Sequence, residues 1–165
     1  VGISGISTFT GMSKANVIRK IKTLALKIIY LQANETQQVY EVDELCTYIK
    51  RKSNRCYIAY AINKSTRKVI DFIVGRRTKD NIGKVIARLK ELNPKRIYTD
   101  KLNIYSALIE KDIHTVSSHK INHIERFNLT LRTHLKRLSR RTICFSRSAE
   151  MLENCFKLYV SRMYK

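Results

Sequence analysis

Near residue 39 the spacing of the apolar side chains changes period, and that change restricts the chain to a mixed α/β fold. Before it, Ile3, Ile6 and Phe9, then Val17, Ile18, Ile21, Leu24 and Leu26, recur at helical intervals. After it come three runs rich in β-branched and aromatic residues, 39–49, 56–62 and 69–74, separated by the polar turns 50–54 and 63–66. Helical spacing returns with Ile82, Val85, Ile86, Leu89 and Leu92, and Asn93-Pro94 stops it. A short strand at 96–99, a helix at 102–110 and a last strand at 113–117 follow. Two further helices, 122–138 and 148–164, complete the pattern.

The order from residue 39 through the helix at 122–138 is β-β-β-α-β-α-β-α, which is that of a ribonuclease-H-like mixed sheet. Three segments are expected: residues 1–31, a polar linker at 32–38, and one α/β domain at 39–165. In the first, Gly11 separates two helices and Ser13 is placed to cap the second, which makes a partial helix-turn-helix. Val17 and Ile21 then face inward. Lys14, Asn16, Arg19 and Lys20 lie on or near the face that could enter a major groove. The alternative is an ordinary amphipathic helix pair.

Charge narrows the partners. Lys and Arg number 33 against 13 Asp and Glu, a formal net charge of +20. Self-repulsion on that scale is offset by a polyanion, and nucleic acid is the default. An anionic membrane surface would also balance it, but no apolar run approaches the roughly 20 residues that span a bilayer. The expected location is the cytoplasm, in association with the nucleoid. Cys46, Cys56, Cys144 and Cys155 show no C-x-x-C spacing, which argues against structural zinc and for a reducing compartment. Cys46 and Cys56 could face one another across a hairpin.

Because acids are few, their placement is informative. Asp43 lies within the first strand, Asp100 at the end of the fourth, and Glu125 in the first turn of the helix at 122–138. In such a sheet the first and fourth strands are neighbours and the helix packs beside them, so the three carboxylates converge. Converging anions need cations, and an all-oxygen donor set selects Mg²⁺ or Mn²⁺. Two ions about 3.5–4 Å apart hold the attacking and leaving oxygens of an in-line phosphoryl displacement. A solvated surface triple is the plain alternative. Asp43 and Glu44 compete for one place, since successive strand residues point to opposite faces. On the long helix, Asn128, Arg132 and Lys136 fall within about 60° of Glu125 at 100° per residue. They form a column suited to a phosphate backbone, flanked by Arg126 and extended by Arg137, Arg140 and Arg141.

The run Ile124-Glu125-Arg126-Phe127-Asn128-Leu129-Thr130-Leu131-Arg132, continuing to Leu135, Arg137 and Leu138, resembles the signature of insertion sequence one transposases. Val42-Asp43-Glu44 resembles that family's first-strand Asp-Glu, and Tyr98-Thr99-Asp100 its second Asp. Twenty-four residues stand between Asp100 and Glu125, as in the family. Gly75-Arg76-Arg77-Thr78 and Cys144-Phe145-Ser146-Arg147-Ser148 correspond as well. The resemblance implies a metal-dependent Asp-Asp-Glu enzyme, with Asp43 rather than Glu44 in the first place. It implies cleavage of DNA at element ends, joining of the 3′-hydroxyl to target DNA, and a homo-oligomer induced by DNA.

The departures are specific. The best-known members carry Trp where this chain has Cys46 and Cys56, and Gly where it has Lys101. The family's zinc-binding N-terminal segment and the first helix of its helix-turn-helix are missing, so the chain reads as a piece of something longer. His119 and His123 resemble a metal pair only superficially, because paired histidines suit zinc; DNA contact is the better expectation for His123. His114, His134 and Tyr105 read as structural. Two other functions compete with the transposase: a truncated repressor that binds ends without cutting, and another nuclease of the same fold.

Overall fold

Every strand expected from the pattern forms, and all five join one sheet. The computed structural model describes residues 2–28, 36–117, 119–139, 141–142 and 144–163. Strand β1 (Val39–Tyr48) is central. It pairs antiparallel with β2 (Arg55–Asn63), which pairs antiparallel with β3 (Val69–Gly75). On its other side β1 pairs parallel with β4 (Arg96–Thr99), and β4 with β5 (His114–Val116). The order β3-β2-β1-β4-β5 is that of a ribonuclease-H-like sheet.

Helices cover both faces. Helix α3 (Lys79–Glu91) carries the chain from β3 to β4, and Ile82, Val85, Ile86 and Leu89, one helical stripe, are all buried. Thr78 caps it by accepting from the Asn81 amide at 3.2 Å. With Tyr40, Val42, Ile97 and Tyr105 they form one core. Helices α5 (Asn122–His134) and α6 (Ala149–Met163) cover the other face, where Ile124, Leu131, Leu152 and Phe156 meet Leu45, Ile58 and Tyr60. Strand β2 lies between both cores, and its residues from Ile58 to Asn63 are buried without exception.

Two helices are shorter than their apolar spacing predicts. The span 102–110 yields only α4 (Asn103–Ser106), after which the chain turns, with Leu108 and Ile109 both donating to the Tyr105 carbonyl. The span 122–138 stops being α-helix at His134. Leu135 takes φ −104°, ψ 92°, and a 3-10 turn, Lys136–Leu138, follows. The break is cheap because Leu138 stays fully buried and side chains meet the freed carbonyls. Arg132 donates from Nη1 to the Leu138 carbonyl at 2.8 Å, and Ser139 donates to the Arg132 carbonyl at 3.0 Å.

Ahead of the sheet, α1 (Ile3–Thr10) ends at Gly11, whose φ of +68° suits a residue without Cβ. Helix α2 (Lys14–Lys27) is capped by Ser13, which accepts from the Asn16 amide at 3.2 Å. Helix α2 lies against α6 with Val17 and Ala25 buried, and Lys22 pairs with Glu150 at 2.8 Å. Ile21 is half-buried. Residues 29–31 of the first helical span and 32–35 of the linker lie outside the described residues, as does Tyr164. Ser148 caps α6, accepting from Met151 at 3.1 Å. The hairpin register pairs Cys46 with Tyr57 and Cys56 with Thr47, so the two thiols leave opposite faces; all four cysteines are free.

Candidate active site

The parallel pairing of β1 with β4 ends at Glu41 and Tyr98. Two residues further along each strand stand Asp43 and Asp100, side by side where β4 has stopped. Asp100 turns the chain, its Oδ1 accepting from the Leu102 amide at 3.0 Å. Asp43 shares its sheet face with Tyr60, its partner on β2, and so looks toward α5. Its Oδ2 accepts from Asn128 Nδ2 at 2.6 Å, and its Oδ1 from the Glu44 amide at 2.7 Å. The other end of the Asn128 amide accepts from the Tyr60 hydroxyl at 2.8 Å.

Glu44 leaves the opposite face, as alternation requires, and its Oε1 accepts from the buried Tyr105 hydroxyl at 2.6 Å. Opposite faces do not keep it away from Asp43, however. With no β4 residue in between, Asp43, Glu44 and Asp100 each offer a carboxylate oxygen, all within 4.8 Å of one another. The expectation that only one of Asp43 and Glu44 can reach a common point is therefore corrected. Alternation sets where a side chain starts, and the longer glutamate comes round the open strand end.

Burial dominates the electrostatics. It pushes the Asp43 carboxyl up to about 6, against the pull of the Glu44 amide, and the charges of Asp100 and Glu125 add to the rise. Burial likewise lifts Glu44 to about 7, opposed by the Tyr105 hydroxyl and by Arg77. Tyr105 is itself held well above the usual tyrosine value by burial and by Glu44. Charging Asp43 and Glu44 beside Asp100 costs repulsion that a bound cation would offset.

Glu125 sits in the first turn of α5, exposed, on the side where Asp43 feels its charge. It lies outside the close group of three. Asn128, one turn on, is the Asp43 partner just described rather than a member of a phosphate-facing column. Arg132 is turned back onto the Leu138 carbonyl, and Arg137 donates to Ser146 Oγ at 2.9 Å, so the expected column is interrupted at both. Arg126, Lys136 and Arg141 are exposed. Arg140 lies outside the described residues. Lys14, Asn16, Arg19 and Lys20 all stand exposed along α2.

The histidines are engaged or distant. His123 Nδ1 lies 2.7 Å from Glu41 Oε1, His114 Nε2 lies 2.8 Å from Thr99 Oγ1, and His134 Nδ1 lies 2.6 Å from the Tyr159 hydroxyl. His119 is exposed. Among the described residues, the acidic trio is the one His, Cys, Asp or Glu group with metal-holding geometry. Sequence reasoning missed Glu41, Tyr105 as a Glu44 partner, and Arg77, whose guanidinium lies 5.2 Å from the Tyr57 ring centre. Glu41 carried a faint signal: an acid on the strand phase of Val39, Asp43 and Leu45.

The family model described as IS1 transposase matches residues 38–165. The insertion element iso-IS1n protein InsB of Shigella dysenteriae is 34% identical over 124 residues, covering 75% of this chain and 95% of its own length. The insertion element IS1 4 protein InsB of Escherichia coli K12 is 30% identical over 121 residues, covering 73% of this chain and 72% of its own. Among solved structures, the HTLV-2 integrase catalytic core domain in complex with magnesium aligns over 74% of this chain and 85% of that one, at 12% identity and a TM-score of 0.48.

Proposed function

The chain belongs to the IS1 transposase family, and from that premise we propose that it cuts and joins DNA at Asp43, Asp100 and Glu125 with divalent cations. The observation that carries this reading is the meeting of Asp43, Glu44 and Asp100 within 4.8 Å, in surroundings that raise the first two. A donor set of carboxylate oxygens alone fits Mg²⁺ or Mn²⁺ better than zinc, whose sites are built mainly on Cys and His. Asp43 and Asp100 would hold one ion between them, and Glu125, across from Asp43 on α5, would complete a second. Bound there, the cations supply Lewis-acid activation of a water or 3′-hydroxyl and neutralise charge on the phosphate.

The protein's own groups do the rest. Asn128, braced by Tyr60, fixes the rotamer of Asp43 and leaves its charge facing Asp100. Tyr105 holds Glu44 by a donated hydrogen bond, which keeps that carboxylate in place beside the pair. Arg77, near Glu44 and exposed, offers a cation to a strand phosphate. Residues 39–165 are the catalytic part in this reading. Residues 1–31 are a DNA-binding part whose Lys14, Asn16, Arg19 and Lys20 face the duplex, and pairing of two DNA ends brings two copies together. A repressor that only binds would have no use for carboxylates clustered at a cost in repulsion.

The test is strand nicking on DNA bearing the element's ends, with Mg²⁺ and with a chelator. Asp100→Asn removes one charge and keeps the Leu102 turn. It should bind DNA as the parent does and lose nicking by at least about 10²-fold. Nicking that survives chelation, or that Asp100→Asn leaves intact, refutes the reading.

A further inference from the structure

Helix α5 begins without a cap from its own sequence. Ile121 occupies the capping position and has no side chain to offer, yet the first amides of a helix need acceptors. The acceptor comes from the sheet. Glu41, fully buried on β1, accepts from the Ile124 amide through Oε2 at 2.9 Å. Its Oε1 meets His123 Nδ1 at 2.7 Å and Lys64 Nζ at 3.1 Å. Lys64 is itself seated, donating to the Lys120 carbonyl at 2.6 Å and lying 4.4 Å from the centre of the Tyr98 ring.

Glu41 and Asp43 are two residues apart on β1 and so share a face. Ile124 and Asn128 are four apart on α5 and so share a side. The bonds Glu41–Ile124 and Asp43–Asn128 therefore tie strand to helix at two points, and Glu125 lies between them. We propose, resting on the reading of Glu125 above, that Glu41 is a positioning residue. It clamps the start of α5 onto β1 and thereby sets where the Glu125 carboxylate stands relative to Asp43.

Stability alone is a poor reason for this carboxylate. Apolar residues of similar volume often replace a buried ionic group without loss, whereas a fixed register between two elements requires directional bonds. Lys64 and His123, each a little under a third exposed, add charge-assisted bonds that hold the carboxylate still from the solvent side. Glu41 touches no reacting group. Its effect is carried by the helix.

The probe is Mn²⁺ binding by calorimetry on the 165-residue chain, compared across parent, Glu41→Gln, Glu125→Gln and the double variant, with thermal melting in chelator alongside. Supporting groups around a metal site alter affinity by about 10–100-fold. Glu41→Gln should weaken Mn²⁺ binding by about tenfold, at the lower end of that range. In the double variant it should add little to the loss from Glu125→Gln, because the two act on one group. A merely structural Glu41 would lower the melting temperature and leave affinity per folded molecule unchanged, and that result overturns the proposal. So does full additivity in the double variant. If Glu125→Gln itself leaves affinity untouched, the Glu125 assignment falls and this inference with it. If Glu125→Gln weakens binding and Glu41→Gln does not, only this inference falls. Should Glu41→Gln fail to fold, Lys64→Met and His123→Phe, at the rim of the same network, take its place. Weakened binding in either that vanishes beside Glu125→Gln supports the clamp; parent-like affinity in both overturns it.

Discussion

In the proposed function, the carboxylate end of the sheet and the outer face of α2 would serve one substrate in opposite ways. At the first, polar groups are withdrawn from water and each is matched: Asp43 to Asn128, Asn128 to Tyr60, Glu44 to Tyr105, Glu41 to α5. Among the described residues no buried side-chain nitrogen or oxygen lacks a partner. At the second, Lys14, Arg19 and Lys20 stay in solvent, and even a large apolar residue of α2 is exposed, Leu26 at 81%, as is Phe9 of α1 at 85%. Chemistry needs fixed positions, which burial and directional bonds provide. Attraction to a polyanion needs only charge, which acts through water and is individually weak. Sensitivity should divide accordingly, to salt in one region and to single atoms in the other.

The largest effect belongs to the solvated charge. If six to ten phosphates are neutralised, DNA affinity should fall about 10³–10⁵-fold between about 50 and 200 mM salt. A binding titration across that range checks it, and a flat response would break the comparison on the α2 side.

A smaller effect, of several degrees in melting temperature, belongs to the half-buried acids. Asp43 and Glu44 are raised to about 6 and about 7 from ordinary values of 3.8 and 4.5. The folded chain therefore holds more protons than the unfolded chain between roughly pH 4 and 7, and their contribution to stability falls as pH rises through that window. In chelator, the advantage in melting temperature of an Asp43→Asn, Glu44→Gln variant over the parent should grow from pH 5 to pH 8. An advantage independent of pH would mean that the two groups are not held up by burial.

The smallest effects sharpen the boundary between the regions. Arg132→Ala should cost about 1–2 kcal/mol of stability by freeing the Leu138 carbonyl, with little change in the salt dependence of DNA binding. Arg19→Ala should do the reverse, lowering the salt slope by about one while stability moves by less than about 0.5 kcal/mol. Chemical denaturation and salt titration of both variants decide it.

The sequence made the order of elements legible because period is a local property. Ile82 through Leu89 announce a helix, and the β-branched runs announce strands, before any tertiary contact is known. The sheet-end placement of Asp43 and Asp100 was legible for the same reason. Where α5 ends was not, because Leu135 and Leu138 keep helical spacing through a break that Arg132 and Ser139 make tolerable. Helical spacing places Arg132 on the face of Glu125 but does not show that its guanidinium turns back to the Leu138 carbonyl. Glu41 was hidden differently: its partners on α5 lie 82 and 83 residues away, and no spacing rule reaches them. The nearness of Glu44 to Asp43 depends on β4 stopping at Thr99, which only the folded register reveals.

Glu125 joins the two regimes, an exposed group whose charge is felt by a half-buried one, and its role is the claim on which the account stands. The direct measurement is the rate of Mg²⁺-dependent nicking of element-end DNA by Glu125→Gln beside the parent, with binding and melting recorded on the same samples. The account predicts parent-like DNA binding, a stability change under about 0.5 kcal/mol, and nicking slower by at least about 10²-fold. Nicking at the parent's rate would contradict it.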